Sequence, residues 1–307
     1  MKTVAILGAG AIGSYFIYCL TEKLGDDLCV VAAGDRAQRL RNEGININGV
    51  NYIPNVKTTE EAKGVDLLLV SVKYGALEGC MDDIAEIVDE HTVVLSLLNG
   101  VDSEDIIGRR IGYSHMLYSI MKITSERRGN NIVFNPETTP GLFFGELRIS
   151  EPTKRVQEVM KLFENTQLHY RFIPDILREI WYKFALNVSQ NQPQAILNIG
   201  FGGYADSEHM GFLRSAFRAE VTAIAAAKGI DISKPQGIEG KSSPTAKRGR
   251  YSTLQDLDAG RHTEVDAFAG TVVRMGREMG IPTPYNEFAY HAIKALEEKN
   301  DGLFDYE

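Results

Sequence analysis

The residues best suited to chemistry lie on one predicted helix in the second half of the chain. Lys183, Asn187 and Asn191 are spaced by four residues, so on a helix they form a stripe about 80° wide. Trp181 and Val188 cover the opposite side, so most of this helix is predicted to be buried. A lysine ammonium can stabilise negative charge, and asparagine amides can bind a small polar ligand. We expect the stripe to line a cleft; the alternative is an exposed amphipathic face.

Two further polar residues belong to a segment predicted to be helical over residues 253–279. Ser252 and Gln255 match a capping box, with the serine as the N-cap residue. Glu264 falls on a mostly apolar face of that helix, and a carboxylate buried without a partner is costly. We expect Glu264 to meet a cation such as Lys183 or a ligand hydroxyl, or else to lie at the rim beside Arg261 and water.

A glycine-rich turn stands near the start of the chain. Its residues are Gly8, Ala9, Gly10, Ala11, Ile12 and Gly13. They follow an apolar strand and open a helix, which is the context of a dinucleotide-binding turn. The glycines allow a tight turn and close approach to a pyrophosphate, and the helix N-terminus supplies amides. The alternative is a glycine-rich turn with no ligand.

The choice of nicotinamide cofactor depends on the end of the second predicted strand. An Asp or Glu at that end would bind the 2′-hydroxyl of an NADH ribose. The strand instead ends in Ala32 and Ala33, and Arg36 follows closely. We expect Arg36 to pair with a 2′-phosphate, which favours NADPH. Asp35 weakens this preference, and Arg36 could also be a solvated residue at the start of a helix.

Lys73 and Asn99 each follow a later apolar strand. Ligands of open α/β sheets bind beyond the carboxyl ends of the strands. A lysine there can pair with phosphate, and an asparagine followed by Gly100 can approach the ribose or nicotinamide. The alternatives are loop solvation for Lys73 and a simple turn at Asn99 and Gly100.

The elements that must position these residues change character along the chain. Apolar strand runs alternate with helical patterns in the first half, which predicts an α/β fold with a doubly wound parallel sheet. From residue 174 onward only long helical patterns remain. We predict a Rossmann-type domain over residues 1–172 and an all-helical domain over residues 173–307.

Composition excludes several classes of protein. Hydrophobic residues make up 44% and charged residues 24% of the 307 residues, as in soluble globular proteins. A net charge of −8 offers no general field for nucleic acid. Three cysteines without a Cys-x-x-Cys pair indicate a reducing cytoplasm and no metal site. Glycines interrupt the apolar N-terminal run, so we expect neither a signal peptide nor a membrane span.

Together these motifs resemble ketopantoate reductase over nearly the whole chain. The resemblance rests on the order and spacing of the glycine turn, Lys73, Asn99, the Lys183 helix, and Ser252 with Glu264. It implies a Rossmann domain joined to a helical domain, with the active site in the cleft between them. The chain departs from that family at Ala33, where members often carry arginine.

The resemblance also implies a role for each residue. Lys183 would be the general acid, Asn187 and Asn191 would position ketopantoate, and Ser252 would contact its carboxylate. Glu264 would support both substrate and cofactor. Lys73 and Asn99 would belong to the NADPH site, and Asn99 would also contact the substrate.

Two alternatives stay open at this stage. One is a reductase of another small 2-keto acid, or an enzyme acting on a 3-hydroxy acid, on the same scaffold. The other is a protein that binds NADPH without catalysis. The sequence leaves the oligomeric state open, although apolar helices of the second domain could form the face of a homodimer.

Overall fold

The computed structural model describes residues 1–233 and 247–304. Contacts divide the chain into two compact units, Met1–Ile176 and Leu177–Glu307. The division lies four residues beyond the end of the first domain that the sequence predicts.

The first unit is an α/β domain built on an eight-stranded sheet, with a smaller four-stranded sheet beside it. The strands are β1 Val4–Leu7, β2 Leu28–Val31, β3 Ile45–Ile47, β4 Val50–Tyr52, β5 Val56–Lys57, β6 Leu67–Val70, β7 Val93–Ser96, β8 Met116–Lys122, β9 Ser125–Arg128, β10 Asn131–Phe134, β11 Gly141–Gly145 and β12 Tyr170–Phe172. The helices are α1 Ala11–Leu24, α2 Gly34–Glu43, α3 Tyr74–Leu77, α4 Met81–Ile87, α5 Ser103–Ile111 and α6 Lys154–Phe163.

The large sheet has the strand order β12-β11-β8-β7-β6-β1-β2-β5. The six strands from β5 to β8 are parallel, and β11 pairs antiparallel to β8. Leu7 stands opposite both Val31 and Val70, so these strands end at one edge of the sheet. After β1, the chain first adds β2 and β5 on one side of β1. From β6 on, it adds strands on the other side. This doubly wound sheet confirms the predicted fold class and puts the switch point beside β1.

Both faces of the sheet are covered by helices, which explains why β1 and β6 are apolar at every position. Ile6 and Leu69 pack on one face in a cluster with Phe16 of α1. On the other face, Val70 belongs to a cluster with Ile84 of α4 and Ile107 of α5. Polar side chains that act on a ligand are therefore left to the loops at the strand ends.

The four-stranded sheet, in the order β4-β3-β10-β9, was not predicted. Its strands have no more than four residues, and Val50 and Val133 are exposed. Hydrophobic alternation over so few residues gives little signal. The buried Phe134 anchors the sheet against Tyr15 of α1, with ring centroids 5.3 Å apart.

The described part of the second unit is helical, as predicted. Its helices are α7 Ile176–Leu197, α8 Gly203–Asp206, α9 Glu208–Ala227, α10 Ser252–Asp258, α11 Thr271–Met279 and α12 Pro284–Asn300. Glu220 of α9 accepts hydrogen bonds from the amides of Tyr285 and Asn286 at 2.8 and 3.0 Å. This buried carboxylate satisfies the free amides at the start of α12 and joins the two helices.

The single helix predicted over residues 253–279 is wrong. Helix α10 ends at Asp258, and Gly260 follows in the left-handed region with φ of 61°. A glycine in this conformation is a common helix terminator. The chain then passes through a short π-helical turn, Asp266–Gly270, before α11 begins.

Within the described ranges, none of the helices is both long and apolar enough to cross a membrane. The same ranges contain no group of three or more His, Cys, Asp or Glu side chains that could hold a metal ion.

Candidate functional site

The glycine turn connects β1 to α1 at the carboxyl edge of the sheet. Gly8 has φ of 107°, and a Cβ there would lie 2.7 Å from the backbone of Ser71 and Val72. A Cβ on Gly13 would lie 2.1 Å from the carbonyl oxygen of Gly8. Gly10 differs, because apart from its neighbours in the chain no atom of the described residues lies within 4 Å of its Cβ position. Two glycines thus serve packing, and the third leaves open space beside the backbone.

Helix α1 begins directly after Gly10, with Ala11, Ile12 and Gly13 in its first turn. The amide of Ser14 donates to the carbonyl of Gly10 at 2.9 Å and starts the helical ladder. The amides before it have no intrahelical acceptor, and they carry the positive end of the helix dipole. This turn can therefore bind an anion such as a pyrophosphate.

Ser71 holds the turn in place, and sequence analysis missed it. Its hydroxyl donates to the carbonyl of Gly8 at 2.6 Å, and its amide donates to the carbonyl of Leu7 at 2.8 Å. The side chain is buried at the end of β6. A single serine after an apolar strand has no distinguishing local pattern.

Arg36, Lys73 and Asn99 lie beyond the carboxyl ends of β2, β6 and β7, the same edge as the glycine turn. Arg36 and Lys73 are exposed, and Asn99 is half-buried before Gly100, whose φ is 113°. The positions agree with the prediction that these residues follow parallel strands. Their contact with a cofactor stays a prediction.

Charged residues of both signs lie beyond the end of β2. Burial and the charge of Asp83 raise the pKa of Cys80, and the charge of Arg36 opposes this shift. Arg36 is thus close enough to act on the turn that begins α4. Asp35, also exposed, is the acid that comes first after β2. It lies in the first turn of α2, after Gly34, and not at the end of the strand.

The stripe predicted on α7 is present in the second unit. Asn191 is buried with 4% exposure, and Lys183 and Asn187 are half-buried. Trp181 and Val188 on the other side are buried, as predicted. None of the three polar residues is therefore fully exposed, although their contact with a substrate stays a prediction.

Two glutamines extend the polar side of α7 and were missed. Gln190 accepts a hydrogen bond from the hydroxyl of Tyr251 at 2.5 Å, and Gln194 accepts one from the amide of Tyr251 at 2.6 Å. These bonds hold the start of α10, and with it the exposed Ser252, beside the C-terminal half of α7. Single glutamines on a predicted helix gave no reason to expect this anchor.

The capping box predicted at Ser252 is wrong. Helix α10 already includes Ser252, and its N-cap residue is Tyr251, which makes no side-chain cap. Gln255 instead donates to the carbonyl of Arg250 at 2.8 Å. Ser252 is consequently not occupied by capping the helix.

The helical face predicted for Glu264 is also wrong, because Glu264 lies in the segment between α10 and the π-helical turn. It is half-buried. Its neighbour Thr263 donates to Glu297 of α12 through both its amide and hydroxyl, at 2.7 and 2.6 Å. The segment that carries Glu264 is thus held to α12 through Thr263.

The residues at the edge of the first unit fit a dinucleotide. Gly10 leaves room where a pyrophosphate must approach the backbone, and the N-terminus of α1 offers amide donors. Arg36 and Lys73 are cations of the kind that bind phosphate groups.

This fold and this edge define a dinucleotide-binding domain of the Rossmann type, followed in the chain by a helical unit. The family model described as "Ketopantoate reductase PanE/ApbA" matches residues 4–147, and the model of its C-terminal part matches residues 175–297. The chain belongs to the ketopantoate reductase family and is an oxidoreductase.

Individual relatives match this chain over nearly its full length. A 2-dehydropantoate 2-reductase from Archaeoglobus fulgidus is 27% identical over 301 residues, covering 97% of this chain and 98% of the relative. A PanE/ApbA family ketopantoate reductase from Ralstonia eutropha JMP134 superposes with a TM-score of 0.82 at 23% identity, covering 97% and 99% of the two chains. D-mandelate dehydrogenase in complex with NADH superposes with a TM-score of 0.82 at 25% identity, covering 98% and 100%. These findings support a nicotinamide cofactor without distinguishing NADPH from NADH.

Proposed function

We propose that this protein reduces ketopantoate (2-dehydropantoate) to pantoate with NADPH. The proposal rests on the match to ketopantoate reductases across both units, which includes the glycine turn and the Lys183 helix. A role in the synthesis of pantothenate and coenzyme A, and a cytoplasmic location, follow from the same family and are part of the proposal.

The reduced nicotinamide, when bound, supplies hydride to the keto carbon. Negative charge then grows on the carbonyl oxygen, which must also receive a proton. Lys183 carries a positive charge that stabilises this oxygen more in the transition state than in the ground state, and that difference lowers the barrier. We assign the proton donation to the Nζ atom of Lys183, with Glu264 holding the ammonium charged and oriented.

The remaining residues bind and orient. Asn187 and Asn191, one turn apart on α7, offer amide donors and acceptors to the polar groups of the keto acid. Ser252 offers its hydroxyl to the substrate carboxylate, since it is exposed and does not cap α10. The residues assigned to NADPH are those of the glycine turn with Arg36, Lys73, Asn99 and Glu264.

The preference for NADPH depends on Arg36, so Arg36→Ala is expected to raise the KM for NADPH roughly tenfold, the effect of losing one charged hydrogen bond. The KM for NADH should not change, because NADH has no 2′-phosphate. Arg39→Ala, at another exposed position of α2, is the control. Equal loss with both cofactors would contradict the assignment of Arg36.

A second candidate substrate is a 2-keto acid that carries an aromatic group. Phe201 and Tyr251 are half-buried, and their ring centroids lie 4.3 Å apart. Tyr251 directly precedes Ser252 in the chain. Such a pair can pack against an apolar substituent of a substrate whose carboxylate is bound by Ser252. The similarity to D-mandelate dehydrogenase points in the same direction.

A panel of keto acids separates the candidates. With NADPH oxidation followed by absorbance, we expect ketopantoate to give the highest kcat/KM, above phenylglyoxylate, 2-ketoisovalerate and pyruvate. A preference for phenylglyoxylate, the keto acid that corresponds to mandelate, would favour the second candidate. Tight NADPH binding without oxidation by any keto acid would contradict both and favour a protein that binds the cofactor without catalysis.

A further inference from the structure

A buried polar network in the first unit is not used by the mechanism above. It comprises Glu104 and three serines: Ser96, Ser103 and Ser119. All four side chains are at most 4% exposed. Buried polar groups of this kind are costly unless they bond to one another. A buried glutamate in such a network is unusual and can have a functional role.

The hydrogen bonds run in one direction, toward the carboxylate. The hydroxyl of Ser103 donates to Oε2 of Glu104 at 2.9 Å, and the amide of Ser119 donates to Oε1 at 3.4 Å. Because the proton of Ser103 is used in this way, Ser96 must be the donor in the 2.8 Å bond between the two serine hydroxyls. The hydroxyl of Ser119 in turn donates to the carbonyl of Ser96.

The bond between Ser96 and Ser103 closes the loop that carries Asn99. Ser96 is the last residue of β7, and Ser103 is the first residue of α5. Residues 97–102, with Asn99 and Gly100 in the middle, connect them. The two serine side chains thus join the two ends of the loop. Glu104 orients this junction by accepting the hydrogen bond of Ser103.

We propose that Glu104 is a positioning residue for the cofactor site: its carboxylate holds the Ser96–Ser103 bond and so sets the conformation of the Asn99 loop and the affinity for the nicotinamide cofactor. The inference rests on the proposed function, which assigns Asn99 to that cofactor.

The charge of Glu104 makes this junction sensitive to pH. Burial raises the pKa of Glu104 to about 7, and the nearby charge of Asp102 acts in the same direction. Tyr74 of α3 donates to Asp102 at 2.9 Å. On β8, burial and the charges of Asp105 and Glu104 raise the pKa of Tyr118 to about 12, so Tyr118 stays neutral. Glu104 is therefore the group of this set that changes charge near neutral pH.

Protonation would weaken the hold on this junction. Hydrogen bonds to a carboxylate are roughly twice as strong as those to a neutral carboxyl group. A neutral Glu104 therefore holds the hydroxyl of Ser103 and the amide of Ser119 less firmly, although Ser96 and Ser103 can still bond to each other. Ionised Glu104 is thus the form that fixes the loop best, and cofactor affinity should fall as the pH falls through 7.

The test compares Glu104→Gln with Glu146→Gln in direct fluorescence titrations of NADPH between pH 6 and pH 8. Glu146 follows β11 and pairs with Arg155, which also donates to the carbonyl of Met116 at the start of β8. It therefore lies at the opposite edge of the sheet and serves as a matched control. Unfolding temperatures are measured for both variants.

We expect Glu104→Gln to raise the Kd for NADPH roughly tenfold at pH 8, the effect of one lost hydrogen bond to a charged group. Its Kd should also lack the part of the pH dependence near 7 that the unchanged protein and Glu146→Gln share. A role of Glu104 in stability alone would lower the unfolding temperature of Glu104→Gln without this difference in Kd, and would overturn the inference.

Two outcomes are unfavourable, and they can be told apart. If the unchanged protein does not bind NADPH or NADH, the proposed function is overturned, and the inference with it. If Glu104→Gln binds NADPH with unchanged affinity and unchanged pH dependence, the inference alone is overturned. Should Glu104→Gln not fold, Ser103→Ala removes the same junction without touching a charge, and an unchanged Kd in that variant would overturn the inference equally.

Discussion

Replacing Lys183 by alanine is expected to lower kcat for ketopantoate roughly 10²- to 10⁴-fold, the usual contribution of a positioned proton donor. The Kd for NADPH should not change, because the proposal assigns the cofactor to residues of the first unit and Glu264. This separation arises because the ammonium acts on charge that develops only in the transition state.

Steady-state kinetics with ketopantoate and a direct titration of NADPH measure the two quantities separately. Lys228→Ala, which removes an exposed lysine at the end of α9, is the control and should keep both values. A Lys183→Ala variant with near-normal kcat would remove the proposed proton donor.

The second large effect is expected at Gly10, where alanine should weaken NADPH binding by at least about tenfold. A Cβ at Gly10 meets none of the described residues within 4 Å, so the fold can accept it. That same open space is where the backbone must approach the pyrophosphate. We expect a loss in free energy of unfolding of about 1 kcal/mol, because glycine is a better N-cap residue than alanine and such a replacement typically costs that much.

Gly13→Ala provides the contrast. Its Cβ would lie 2.1 Å from the carbonyl oxygen of Gly8, so the turn must deform. We expect a loss of roughly 1–3 kcal/mol in free energy of unfolding, as for overpacked cores. Calorimetry and NADPH titration of both variants test the distinction. If Gly10→Ala binds NADPH normally, the turn does not hold the pyrophosphate in the proposed way.

The first unit shows which parts of a site can be read from sequence. Gly8, Lys73 and Asn99 each follow an apolar run, and parallel strands end at one edge of a sheet. Their placement at a common edge could therefore be predicted from local patterns alone. The roles of Ser71 and Glu104 could not be predicted in this way, because they depend on hydrogen bonds to residues distant in sequence. Ser71 bonds to the carbonyl of Gly8, and Glu104 bonds to the amide of Ser119.

In the second unit, the α7 stripe could be predicted because four-residue spacing is a local property of a helix. The surroundings of Glu264 could not. Periodicity continued across Gly260, but a single glycine in the left-handed region ended α10 and removed the helical face on which the prediction relied. The strands of the small sheet were too short and too exposed for alternation to reveal them.

The most direct test of the account is a crystal structure of the protein with NADP⁺ and ketopantoate bound together. We expect the Nζ atom of Lys183 within hydrogen-bonding distance of the keto oxygen, with the nicotinamide C4 atom facing the keto carbon. A ternary complex in which that nitrogen points to bulk solvent, with another side chain at the keto oxygen, would contradict the proposed mechanism.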